Sequence, residues 1–172
     1  FTLLREPTSF YVSYFNFFKH PECKWSWCDQ PLVDLTEENL LDSLVPNHQC
    51  QYLARYINKE ENAAHPVSKA ECDSVYHLLQ ADLDWIGTTE AMQESTLPML
   101  SYMLTGSAEQ GRRMEAQNQQ KKENRLSAKS LSAKARQLIR KSSTFDQHLY
   151  DRVSNDYTLS RWENLAMDYA TE

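Results

Sequence analysis

Apolar residues along this chain change their period wherever the polar punctuation changes. Phe1-Thr2-Leu3-Leu4 is a short apolar run stopped at once by Arg5-Glu6-Pro7, which predicts a buried strand inside a parallel sheet at residues 1–4. Pro7 suits the first turn of a helix, because its missing N–H is unpaired there in any case. A helix from Thr8 to about Lys19 follows, carrying Phe10, Tyr11, Tyr14, Phe15, Phe17 and Phe18. Aromatics on nearly every side predict that it is buried on more than one face.

Residues 20–34, with two prolines, two tryptophans and two cysteines, read as a loop. Thr36 caps a short helix over Leu40, Leu41 and Leu44, with Asn39 where a capping box prefers Glu, and Pro46 ends it. A second short helix runs from Asn47 to Ile57. Ser68 caps another from about Lys69 to Ala81, with Val75, Leu78 and Leu79 on its apolar face. Asp84-Trp85-Ile86-Gly87 predicts a short strand, and Gly87 a turn. Residues 90–104 predict a helix with Glu90 as a cap and Pro98 as a kink.

Residues 105–130 are rich in Gln, Lys and Ser and lack apolar periodicity. They predict a solvated insert, with little regular structure over 106–128. Ser132 to Lys141 reads as helical. Thr144-Phe145-Asp146 then caps a final helix through Leu149, Tyr150, Val153 and Tyr157 towards Trp162. This order is that of an α/β fold, mostly helical in this portion. Two strands alone do not make a stable doubly wound sheet, so further strands are expected from sequence upstream.

The bulk composition narrows the function classes. The 172 residues are enough for one domain, and 41% hydrophobic with 11% aromatic is a globular balance. A net charge of −6 lacks the basic footprint of a nucleic-acid binder, though a small anion needs only a few local donors. Cys23, Cys28, Cys50 and Cys72 allow two disulfides in three connectivities, and their spacing is not a zinc pattern. No run approaches the length of a membrane span, and no signal peptide is visible.

Chemistry concentrates in Leu3-Leu4-Arg5-Glu6-Pro7-Thr8-Ser9-Phe10-Tyr11-Val12-Ser13-Tyr14-Phe15. Arg5 ends a strand and a helix follows directly. Ligand crevices of open α/β sheets lie at such carboxyl ends. An Arg there can fork onto a phosphate, and a helix N-terminus adds exposed N–H groups and partial positive charge. Ser13 lies about two turns into the helix, so it joins only if the phosphate lies along the helix flank. On residue chemistry alone, Arg5 paired with an acid is the competing reading.

This segment resembles the 3′-phosphate motif of sulfotransferases that use 3′-phosphoadenosine 5′-phosphosulfate (PAPS). Asn47-His48-Gln49-Cys50-Gln51-Tyr52-Leu53, the stretch from Asp84 to Ser95, and Phe145-Asp146-Gln147-His148-Leu149-Tyr150 are similar, in the same order, to stretches of the Golgi-type carbohydrate members. The resemblance implies that residues 1–172 are the C-terminal part of a single sulfotransferase domain of P-loop-like fold, a parallel sheet flanked by helices. It implies transfer of a sulfuryl group from PAPS to a carbohydrate hydroxyl, with Arg5 and Ser13 holding the 3′-phosphate and no metal. It implies a glycan acceptor, no nucleic-acid partner, and a Golgi-lumen, type II membrane protein whose anchor lies outside this chain. In that oxidising setting at least one disulfide is expected, with Cys23–Cys28 and Cys50–Cys72 the preferred pairing.

Two departures stand beside the resemblance. Golgi carbohydrate members commonly carry a second Arg where this chain has Phe10. The Lys-containing phosphosulfate loop has no counterpart here and is expected upstream, with the general base. Of the five histidines, His48 is the best placed for chemistry, although structural roles suit all of them. Arg55 reads as a solvated helix residue, with an acidic sugar or a phosphate as its alternative partner, and Arg112, Arg113, Lys121 and Lys122 read as part of the solvated insert. A non-catalytic sulfotransferase-like module for binding or assembly is the alternative function.

Overall fold

A computed structural model describes residues 2–19, 33–58, 66–82, 86–90, 96–106 and 125–157. The chain is mostly helical around a small parallel sheet. Among the described residues the elements are, in order, β1 (Thr2–Leu4), α1 (Pro7–Phe18), α2 (Glu37–Asp42), α3 (His48–Asn58), α4 (Lys69–Asp82), β2 (Ile86–Thr88), α5 (Leu97–Thr105), α6 (Ala133–Ser142) and α7 (Thr144–Tyr157). Strands β1 and β2 pair in parallel with Thr2 opposite Ile86, Leu3 opposite Gly87 and Leu4 opposite Thr88. Gly87 therefore lies within a strand, not at a turn. Among the described residues the sheet has these two strands, so a second neighbour for β1, expected from its apolar run, is not among them.

Helix starts follow the capping residues. Glu6 is the N-cap of α1 and accepts the Ser9 N–H at 2.8 Å, with Pro7 in the first turn. Thr36 caps α2 through the Asn39 N–H, and Ser132 caps α6 through the Ala135 N–H. Ser68 and Glu71 form a reciprocal box at the start of α4. The Glu37 carboxylate takes both the N–H and the hydroxyl of Ser132, which ties α2 to the start of α6. Pro98 is the second residue of α5 as described, and residues 91–95, on which the expected kink depends, lie outside the described residues. Gly106 follows α5 at φ +71°, the left-handed conformation that commonly ends a helix.

Two apolar clusters hold these elements. One joins Leu4 and Ile86 of the sheet to Cys50, Val75, Tyr76, Leu79, Leu149 and Val153 from α3, α4 and α7. The other packs Tyr11, Val12 and Phe15 of α1 against Leu40 of α2 and Leu131, Ala135 and Ile139 around α6. The buried face of α4 runs through Cys72, Val75, Tyr76 and Leu79, while Leu78 is turned outward. The expected apolar stripe is thus displaced towards Tyr76, whose ring also carries the Arg152 guanidinium 3.7 Å from its centroid.

Cys50 and Cys72 form a disulfide between α3 and α4. Cys23 and Cys28 lie outside the described residues. So does most of the polar insert, but its expected end is anchored. Leu126 N–H donates to Asn16 Oδ1 at 3.1 Å and Asn16 Nδ2 donates to the Leu126 carbonyl at 2.7 Å. Among the described residues no helix is long and apolar enough to cross a membrane.

Candidate functional site

The carboxyl ends of β1 and β2 open side by side, because parallel strands end on the same edge. Arg5 leaves β1 there and Thr89 and Glu90 leave β2. Arg5 Nε donates to Thr89 Oγ1 at 3.2 Å, and that hydroxyl donates to Glu90 Oε1 at 3.1 Å. Glu90 Oε1 also accepts the Glu6 N–H at 3.2 Å, while Oε2 accepts the Tyr150 hydroxyl at 3.2 Å. Burial, with the Glu90 charge adding to it, raises the Tyr150 phenol above its usual value, so it stays a donor.

Arg5 is therefore linked to an acid through a hydroxyl and not by direct contact. The ion pair found among the described residues is Lys69–Asp73, on α4. A guanidinium carries five N–H donors, and Thr89 takes the Nε one. Glu90 holds the Glu6 N–H at the entry to α1, while residues 91–95, which it was expected to cap, lie outside the described residues.

The N-terminus of α1 is less open to an anion than its sequence suggests. Glu6 Oε2 occupies the Ser9 N–H, and the Phe10 N–H closes onto the Glu6 carbonyl at 2.8 Å. A phosphate on the helix axis would meet the Glu6 carboxylate. Ser13 is half-buried in the second turn, about 9 Å along the axis from Pro7 at 1.5 Å per residue. It shares a face with Ser9 and Glu6. An anion held by both Arg5 and Ser13 would have to lie on that flank, with the Arg5 side chain turned from Thr89 back along α1.

The Arg5 main chain is clamped from α3. Its N–H donates to Gln49 Oε1 at 3.1 Å and its carbonyl accepts from Gln49 Nε2 at 2.9 Å. The amide pairs with Arg5 as the peptide group of a neighbouring strand would. Gln49 is itself held, since its N–H donates to Asp146 Oδ2 at 3.2 Å and the Cys50 N–H donates to Asp146 Oδ1 at 2.8 Å. Asp146 was expected to cap its own helix. It sits in the first turn of α7 and caps α3 instead, with 1% of its surface exposed. Burial pushes its carboxyl up to about 6 against the pull of the Cys50 and Gln49 N–H groups.

The remaining expected residues fall elsewhere. His48 begins α3 among the rings of Phe10, Tyr11 and Tyr14, at centroid separations of 5.6, 6.4 and 4.4 Å. Its N–H donates to the Tyr11 hydroxyl, which donates in turn to the Val45 carbonyl. Burial, then the Asp146 charge, lifts the Tyr11 phenol well above its usual value. Phe10 stacks on Tyr14 at 6.1 Å, so it belongs to an aromatic cluster. Arg55 is exposed on α3. His20 and His65 lie outside the described residues. A groove of about 290 Å³ between α3 and α4 is lined by Ala54, Ile57, Val75 and Leu78, with neither Arg5 nor Ser13 at its wall.

Sequence reasoning missed Thr89 and the linkage through Gln49. Thr89 had a signal, as a hydroxyl just past a strand end. The Gln49 contact had none, because it spans residues far apart in the chain. No family model matches this chain, and no curated protein or solved structure is significantly similar to it.

Proposed function

We propose that this chain is the C-terminal part of a PAPS-dependent carbohydrate sulfotransferase, and that the crevice at the ends of β1 and β2 holds the 3′-phosphate of the nucleotide. The observation that carries the reading is the position of Arg5. It ends a parallel strand, leads directly into α1, and among the described residues has no carboxylate in direct contact. A guanidinium so placed is suited to fork onto a phosphate. Ser13 adds a hydroxyl on the adjacent flank of α1.

In this reading the sulfuryl group moves by in-line displacement to a sugar hydroxyl. A base takes the hydroxyl proton, and cationic and N–H donors stabilise charge on the sulfuryl and the departing phosphate. The phosphosulfate loop and the base belong to upstream sequence. The chain's own part is to bind and orient the nucleotide through Arg5 and Ser13.

The second reading is a non-catalytic sulfotransferase-like module, favoured by Phe10 and its stacking on Tyr14 where a second cation would help hold the donor. Calorimetric titration of adenosine 3′,5′-bisphosphate into the full-length protein separates the two. Arg5→Ala should weaken binding at least about tenfold, since a charge-assisted bond contributes on the order of 1.5–3 kcal/mol. Ser13→Ala should cost about fivefold, as a neutral donor contributes roughly 1 kcal/mol. A parent that does not bind favours the module. A parent that binds equally well without Arg5 removes the basis of the phosphate assignment.

A further inference from the structure

We infer that Gln49 is a positioning residue for nucleotide binding, acting through Arg5. This rests on the 3′-phosphate reading of Arg5 and deepens it. Three observations converge. The Gln49 side chain is buried, and both ends of its amide are spent on the N–H and carbonyl of one residue, Arg5. Its own N–H is fixed by the buried Asp146 carboxylate, so the amide projects from a helix end that is itself pinned. Arg5 lies just beyond the last paired residue of β1, where the Leu4 carbonyl takes the Thr89 N–H at 2.8 Å and the ladder ends.

At such a point the main chain no longer has a strand partner to fix its direction. A side chain that supplies both a donor and an acceptor replaces that partner. The direction of the Arg5 Cα–Cβ bond then follows from the Gln49 clamp. The side chain starts from a base of fixed direction, which lowers part of the ordering cost of binding. Isosteric loss of the amide leaves the guanidinium charge intact but frees its base.

The test is a double-mutant cycle on the full-length protein, read as affinity for adenosine 3′,5′-bisphosphate by calorimetry. Gln49→Met keeps length and apolar volume and removes both hydrogen bonds. It should weaken binding about fivefold in the parent, the worth of roughly one neutral hydrogen bond. In the Arg5→Ala background it should change affinity by less than about twofold, because its effect passes through Arg5. Gln49→Asn retains the amide one methylene short and should show the same coupled loss, which guards against misfolding of the first variant.

Equal losses with and without Arg5 would show a general structural role and overturn the inference. So would unchanged binding in either Gln49 variant while Arg5→Ala loses its tenfold. A parent that does not bind the nucleotide, or an Arg5→Ala protein that binds normally, instead overturns the donor-site reading beneath it.

Discussion

Asn47 and Asp146 cap each other's helices. Asn47 Oδ1, just before α3, accepts the Phe145 N–H at the start of α7 at 2.8 Å. Asp146, in that first turn of α7, accepts the Gln49 and Cys50 N–H groups at the start of α3. Two helix N-termini thus face one another, and each supplies the oxygen that the other's orphan donors need. The Asn47 N–H also donates to the Ser142 carbonyl at the end of α6, so three helices meet at this node.

Asn47 carries two separable demands at this node. It has φ +51°, in the left-handed region, and its side chain caps α7. Asn47→Gly should tolerate the backbone and lose the cap, at about 1 kcal/mol. Asn47→Ala should lose the cap and add left-handed strain of roughly 1 kcal/mol more. Urea unfolding of the two variants should rank Ala below Gly. Equal stability would mean that the backbone angle carries no cost.

The Asp146 carboxyl sets a pH dependence. Its usual value of 3.8 is raised to about 6 in the fold. The folded chain therefore holds this proton more tightly than the unfolded chain. The stability from this group is complete below about pH 4 and is lost as pH rises through about 6, on the order of 2–3 kcal/mol. Tyr11 from α1 and the Gln49 and Cys50 N–H groups of α3 face it. In unfolding at pH 7, 6 and 5, the parent should gain stability relative to Asp146→Asn as the solution is acidified. A difference that stays flat across this range would refute the assignment.

Much of this architecture can be read from the residues, and the failures have a common physical cause. Thr36, Ser68 and Ser132 start helices where their sequences say, because capping acts within a few residues. Strand β1 and the parallel order were legible from one apolar run and its polar stop. Asp146 was legible as a cap but not as the cap of α3, since local sequence does not say which N–H groups lie nearby in space. Leu78 and Val75 are adjacent on an apolar stripe, yet only packing decides that Tyr76 turns in and Leu78 out. Arg5 stood out by its place at a strand end, while its clamp on Gln49 is a tertiary contact that no periodicity encodes.

The Cys50–Cys72 bridge should be a structural bond. Cys50 is fully buried and the bridge joins α3 to α4 across a sequence separation of 22. Replacing both with Ala should lower stability by about 3 kcal/mol, the loop-closure value for that length. Thermal melts of the parent with and without reductant should bracket the same loss. A double variant as stable as the oxidised parent would contradict this.

Gly106 offers a local check. It sits at φ +71° with nothing within 4 Å of where a Cβ would lie. Gly106→Ala should therefore cost about 1 kcal/mol through backbone strain alone, and Gly106→Asn less. A stability gain in Gly106→Ala, read by urea unfolding, would show that the end of α5 is free to rewind.

The parallel pairing of β1 with β2 has a consequence for the order in which the chain assembles. Arg5 and Thr89 are separated by 84 positions, so their crevice forms only when a long stretch of polypeptide has closed on itself. Local turns, and the contact between α3 and α4, require far shorter closures. The same separation makes the crevice a natural place for partial opening: each strand is three residues long, and few ladder bonds must break to part them. A nucleotide bound there would act as a staple between distant stretches of the chain, slowing amide exchange along both strands and shifting the opening equilibrium in proportion to its occupancy.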